Sequence, residues 1–229
     1  MPRTALTRIH VEGFRSLKNI DLTPGRVTVL IGANGAGKSN LLSFLRMVSL
    51  IRTRSLRRFV GEQGGASALL HYGQRVTREL RFSVDFEADS LPCVYSARLE
   101  YAAGDSLSFV DEAVAIPRSP EDGLVHVTLP TSGKAESGVD ERWPDPFMAE
   151  AAARVSRSIA RLNFFHFHDT SLTSALRSNA RREDASYLRF DGSNLAAYLR
   201  ALETGTSPAS SKAWTRISSL VQRVAPFVK

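Results

Sequence analysis

The sequence predicts an α/β chain: a glycine-rich turn between a short apolar strand and an amphipathic helix, then an antiparallel β meander and the start of an α-helical lobe. Three observations predict it. The turn Ile31–Asn40, "IGANGAGKSN", lies between the β-rich run Arg26–Ile31 and the segment Ser39–Val48, whose apolar residues at 41, 42, 44, 45 and 48 keep a helical period. In Glu79–Phe86 polar and apolar residues change places at every step, the mark of a half-buried strand. From Ser193 onward the pattern is helical again.

Each element follows in order. Leu6–Val11 reads as a first strand and Ile20–Leu22 as the end of a second, with Pro24-Gly25 turning into Arg26–Ile31, read as a buried strand. Beyond the first helix, Gly61–Ser67 reads as a loop. Cys93–Tyr101, Ser106–Ile116 and Leu124–Leu129 are further strands, joined by turn residues in a meander rather than by crossover helices. Thr131–Pro146, rich in Gly, Ser, Pro and charge, is expected to be an exposed, flexible loop (131–146). Phe147–Leu162 is a helix and Asn163–His168 an aromatic strand. Ser193 is the expected N-cap of a helix over Asn194–Leu202. Thr204–Ser211 reads as a linker, and Trp214–Val224 as a last amphipathic helix. The expected organisation is a first lobe over 1–170 and the beginning of a helical lobe over 171–229.

The turn carries the chemistry. Gly32-Ala33-Asn34-Gly35-Ala36-Gly37-Lys38-Ser39 matches G-x-x-x-x-G-K-[ST] at every fixed position. Glycines admit backbone dihedrals closed to other residues, so successive N–H groups can point inward toward an anion at a helix N-terminus. Lys38 is placed for β- and γ-phosphates and Ser39 for Mg²⁺, with Asn34, Gly35, Ala36, Gly37 and Asn40 completing the cradle. ATP and Mg²⁺ are therefore the expected ligands.

The 229 residues can bury a sizeable core. With 43% hydrophobic and 23% charged residues the composition is that of a globular protein, and no apolar run reaches the length of a membrane span. A single cysteine, Cys93, cannot form an internal disulfide, so a reducing, cytoplasmic setting is expected, with no membrane partner. Charge is placed unevenly. From Leu22 to Gly61 there is no Asp or Glu, and Arg26, Lys38, Arg46, Arg52, Arg54, Arg57 and Arg58 together equal the net charge of +7. Of these, Arg52, Arg54, Arg57 and Arg58 form a candidate DNA or RNA contact. The competing reading is a solvated, arginine-rich helix end.

Four segments, "VEGFRSLKNIDL" (Val11–Leu22), "VTVLIGANGAGKSNLLSFLR" (Val27–Arg46), "GGASALLHYG" (Gly64–Gly73) and "FFHFHDTS" (Phe164–Ser171), make the chain resemble the N-terminal lobe of ABC-like ATPases of the RecF, SMC and OLD-nuclease group, especially its bacterial "AAA family" members. That resemblance implies a phosphate-loop NTPase core and ATP hydrolysis across an ATP-dependent homodimer, coupled to nucleic-acid, repair or defence work, with a nuclease as one kind of partner protein. It also implies nucleotide contacts by Arg15 and, in the loop after the first helix, by Gly64 and Gly65.

The resemblance also sets out what to look for beyond the loop. Such enzymes use a Leu-Ser-Gly-Gly-Gln-type signature from the partner and a strand ending in Asp-Glu, whose Glu activates water. No such signature occurs here. The one acidic string of that kind, Leu107–Glu112, falls inside the meander, so Glu112 is a weak candidate base. A Gln expected where "HFHD" stands is replaced by His168 or Asp169, and His166 and His168 share a strand face where a metal pair is conceivable. The chain is thus expected to bind Mg-ATP and, alone, to hydrolyse it poorly. Two rivals remain: a nucleotide-switched nucleic-acid- or partner-binding module, and a phosphotransferase using the same loop.

Overall fold

The computed structural model describes residues 4–165, 171, 174–177 and 179–226, and the chain divides into two compact units, Met1–Leu162 and Asn163–Lys229. Alternation builds the first. Strands β1 (Thr4–Phe14), β2 (Leu17–Leu22), β3 (Glu79–Ala88), β4 (Leu91–Ala102), β5 (Ser106–Pro117) and β6 (Leu124–Thr128) form one antiparallel sheet in the order β2-β1-β3-β4-β5-β6. In β3 every second side chain, Leu80, Phe82, Val84 and Phe86, is buried. A two-residue turn at Asp89 and Ser90, with φ of 54° and 66°, returns the chain into β4.

The apolar face is covered by helices α1 (Lys38–Arg52) and α4 (Pro146–Ile159), with α2 (Leu56–Glu62) and the short α3 (Ala66–Leu69) following α1. α1 buries Leu41, Phe44, Leu45, Met47, Val48 and Ile51. Phe44 meets Phe14 and Phe82 edge-on, with ring centroids 5.8 and 5.4 Å apart, and Phe82 meets Tyr95 at 5.6 Å. α4 starts where Asp145 accepts a hydrogen bond from Met148 N and Pro146 takes the first turn.

Two expectations change here. Arg26–Ile31 belongs to no strand: Val27, Val29 and Ile31 are 85%, 72% and 89% exposed. The residues are β-formers, but no described strand lies beside them, and a strand exists only through its neighbours. Of the expected loop 131–146, residues 131–145 have no regular structure, as the composition suggests, yet Thr131, Ser137, Gly138 and Val139 are buried. Its backbone is tied to β5 by Phe109 N to Lys134 O (2.9 Å) and Gly133 N to Phe109 O (2.7 Å).

The second unit contains a short 3₁₀ turn (Ala175–Arg177) and the helices α5 (Leu195–Thr204) and α6 (Pro208–Val224). α5 is capped not by Ser193 but at Asn194, whose side chain is occupied elsewhere: its amide donates to Asp184 O and Tyr187 O and accepts from Arg189 N. α6 begins earlier than expected, because Ser207 accepts from Ser210 N and Pro208 is already preset for a helix. The expected strand Asn163–His168 lies partly outside the described residues, and its described part, 163–165, is irregular.

Candidate functional site

The glycine-rich turn leads directly into α1. Gly37 caps the helix with φ of 96°, and a side chain there would press on Ser16 Oγ at 3.0 Å and Leu17 Cδ2 at 3.2 Å, so position 37 requires glycine twice over. Gly35 also lies in the left-handed region, at φ 86°. The loop closes on itself through Ala36 N to Ala33 O (3.2 Å). No side chain caps the start of α1 and no acidic residue stands in its first turn. The N–H groups there are thus left for an anion, with the positive end of the helix dipole behind them.

Lys38 is half-buried and folds back, its Nζ donating to Gly32 O (2.6 Å) and Ala33 O (2.8 Å). The ammonium is thereby held over the loop, and phosphate oxygens offer it stronger, charge-assisted partners than these carbonyls. Ser39 is exposed and supplies a hydroxyl oxygen, a donor that suits Mg²⁺ when phosphate oxygens and water complete the octahedron. Asn40 donates from Nδ2 to Ser16 Oγ (2.7 Å), linking α1 to the β1–β2 turn.

Arg15 sits in that turn at φ 50°, with Nη1 donating to Ser43 Oγ (3.2 Å) and Nη2 to Gln63 Oε1 (2.6 Å). Ser43 is one helical turn beyond Ser39, so the guanidinium lies alongside the start of α1. Burial pushes its pKa below the ordinary value. Gly64 and Gly65 form the α2–α3 turn with φ of 89° and 93°, and a Cβ on Gly65 would lie 2.0 Å from Asp105 Oδ2. Asp105 in turn accepts from Ser67 N and Ser67 Oγ, both at 2.8 Å, so the glycine makes room for this carboxylate.

Glu112 stands apart from the loop. Glu112 is fully buried and satisfied: Tyr95 OH donates to Oε1 (2.7 Å), Ser137 OH also donates to Oε1, and Gly138 N donates to Oε2 (3.1 Å). Burial, and then the facing carboxylate, push the Tyr95 phenol well above its ordinary pKa. A carboxylate with three donors inside a packed core braces the 131–146 loop and has no open side for water. His166, His168 and Asp169 lie outside the described residues. Among the described residues no cluster of three or more His, Cys, Asp and Glu could hold a metal.

The basic window is partly answered by acids that lie outside it. Arg54 pairs with Glu141 at 3.3 Å and Arg58 with Glu62 at 3.6 Å. Glu136 accepts from the backbone N of Leu56 (3.1 Å) and of Arg57 (3.0 Å). Arg52 Nε is buried with no partner among the described residues.

Fold and loop together define a nucleotide-binding, phosphate-loop protein of the mixed α/β class. Residues 5–64 match the AAA ATPase domain family. The DNA replication and repair protein RecF of Anaeromyxobacter dehalogenans (strain 2CP-1) is 41% identical over 69 residues, 27% of this chain and 18% of that protein. RecF of Anaeromyxobacter sp. (strain Fw109-5) is 29% identical over 97% of this chain and 58% of its own length. The hemin import ATP-binding protein HmuV of Burkholderia cenocepacia (strain HI2424) is 33% identical over 69% of this chain and 51% of its own length. The chain is thus similar to the AAA ATPase domain family over residues 5–64 and to RecF proteins over most of its length. A solved chain from work on ATP-driven dimerization and DNA-stimulated activation of SMC ATPases aligns with 92% of this chain and 97% of its own, at a TM-score of 0.37 and 12% identity. The chain spans about half the length of the longer-matching curated relatives, 51% to 58%. No helix among the described residues is long and apolar enough to cross a membrane.

Proposed function

We propose that this chain is the nucleotide-holding lobe of an ABC-like ATPase and binds Mg-ATP at Gly32–Asn40. The observation that carries the reading is the start of α1: a glycine cap, a lysine held over the loop, an exposed serine and no acid. Lys38 and the backbone from Asn34 to Ser39 would hold phosphate charge, and Ser39 would contribute one oxygen to Mg²⁺. The metal would neutralise charge on the phosphates during attack by water. The chain's own part is to grip and orient the phosphates; the base that activates water, and the signature from a partner subunit, come from elsewhere in the complete protein. The bare apolar stretch Arg26–Ile31 supports this division, because it calls for strands that the described residues do not place beside it. Relatives named for DNA replication and repair support an ATPase whose turnover is coupled to nucleic acid. The half-neutralised arginines at 52, 54, 57 and 58 remain the candidate DNA or RNA contact.

Calorimetry with Mg-ATP tests the reading. Lys38→Ala is expected to weaken ATP binding about ten- to a hundred-fold, the effect of removing one charged donor from phosphate. Equal affinity in both proteins would refute it. Phosphate release by the isolated chain should stay near background and rise when the remaining part of a full-length relative is supplied in trans.

A further inference from the structure

We propose that the cleft beside the phosphate loop lined by Arg15, Ser16, Ser67, Leu70, His71 and Tyr72 is the nucleoside subsite, with the base stacked on the Tyr72 ring. This rests on the phosphate-loop reading above. The cleft has a volume of about 400 Å³, ample for a base and ribose. It adjoins the loop through Ser16, one of its walls, which accepts from Asn40 and lies 3.0 Å from where a Cβ on Gly37 would stand.

Two features mark the cleft as built for a ligand. Arg15 and Tyr72 both hold left-handed backbone, at φ 50° and 55°. Such strain in non-glycine residues persists only where the surroundings enforce it, and it gathers at ligand sites. The second feature is a rigid aromatic left in solvent. Tyr72 is 81% exposed, yet its position is fixed from behind. Its ring meets His71 edge-on with centroids 4.4 Å apart. His71 is itself pinned by its N to Gly13 O (3.0 Å) and by Nδ1, which must carry the proton because the Arg15 carbonyl can only accept. Arg15 N closes the pair on Leu69 O at 2.7 Å. A planar, pre-oriented ring face beside a phosphate site is what a nucleobase needs, and stacking is tolerant of base identity.

A nucleic-acid strand suits the same ring less well. The larger groove on its other side carries Lys18, Arg78 and Arg81, but also Glu12 and Glu79, and Glu79 pairs with Arg81 (2.7 Å) and Arg98 (3.7 Å). Charge of both signs lines that groove, and Arg81 is answered by Glu79.

The experiment compares Mg-ATP with inorganic tripolyphosphate, which has the charge and no base, by calorimetry on the whole chain. Tyr72→Gly removes the ring and suits the left-handed backbone, so strain cannot account for a loss. It is expected to weaken ATP about five- to a hundred-fold and to leave tripolyphosphate within twofold. Tyr72→Phe should bind ATP as the wild type does. Unchanged ATP affinity in Tyr72→Gly overturns the subsite, as does an equal loss for both ligands, or a loss confined to a single-stranded oligonucleotide. Failure of the wild type to bind either ligand, or indifference of both ligands to Lys38→Ala, overturns instead the phosphate reading beneath it.

Discussion

β3 and the stretch Arg26–Ile31 are made of similar residues, and only one of them is a strand. β3 alternates, is paired on one side by β1 and on the other by β4, and buries Leu80, Phe82, Val84 and Phe86. Arg26–Ile31 alternates only as far as Val29, ends in the continuous apolar run Val29–Ile31, and lies exposed. The two patterns ask for different surroundings. Alternation asks for one dry face, which α1 and α4 provide. A continuous apolar run asks for cover on two faces and strands on both edges, as in the interior of a parallel sheet, and the described residues place nothing there.

The largest expected effect lies in the self-sufficient region. Phe82→Ala opens a cavity between Phe44 and Tyr95 and is expected to cost about 3–5 kcal/mol in urea denaturation. A loss below about 1 kcal/mol would mean that the sheet is no better packed than the bare stretch. Next comes the brace between β5 and the 131–146 loop. Glu112→Ala leaves Tyr95 OH, Ser137 OH and Gly138 N without their acceptor, at an expected cost of about 1–3 kcal/mol. It should also speed tryptic cleavage at Lys134 and Arg142, and a loop cut no faster than in the wild type would remove the bracing role. The smallest effect belongs to the exposed stretch. Val29→Thr should shift stability of the chain by less than about 0.5 kcal/mol. A larger loss would show that Arg26–Ile31 is covered in solution, and would erase the contrast.

What could be read in the sequence followed from how local its causes are. The phosphate loop and α1 were legible because fixed residue types at fixed spacing set both the turn and the helix period. The meander was legible because alternation is written strand by strand. What escaped depends on distant residues. α2 was not read as an element of its own, only as a basic cluster or an arginine-rich helix end, and its N-terminus is satisfied by Glu136, 80 positions from Leu56. Glu141 answers Arg54 from 87 positions away, so a count of charges in a window overstated how open the basic patch is. Glu112, half of an acidic pair on paper, is given its role by Tyr95 and Ser137. Arg15 was picked out by resemblance alone, and its strained turn and its hold on Gln63 have no local signature. Tyr72 has a local signature, an aromatic before a glycine in "LLHYG", but the resemblance points to Gly64 and Gly65 in that segment and not to it.

The uncovered stretch Arg26–Ile31 has a consequence for how the protein behaves in a tube. An exposed segment rich in β-branched residues is adhesive, and two copies can pair along it. What restrains them is like charge: no acid lies between Leu22 and Gly61, so each approaching copy presents Arg26 and Lys38 to the same residues of the other. Such repulsion acts over about 8–10 Å at physiological ionic strength and shrinks to about 3 Å at 1 M. Added salt should therefore make this chain stickier rather than more soluble, and a storage buffer that suits it is a dilute one.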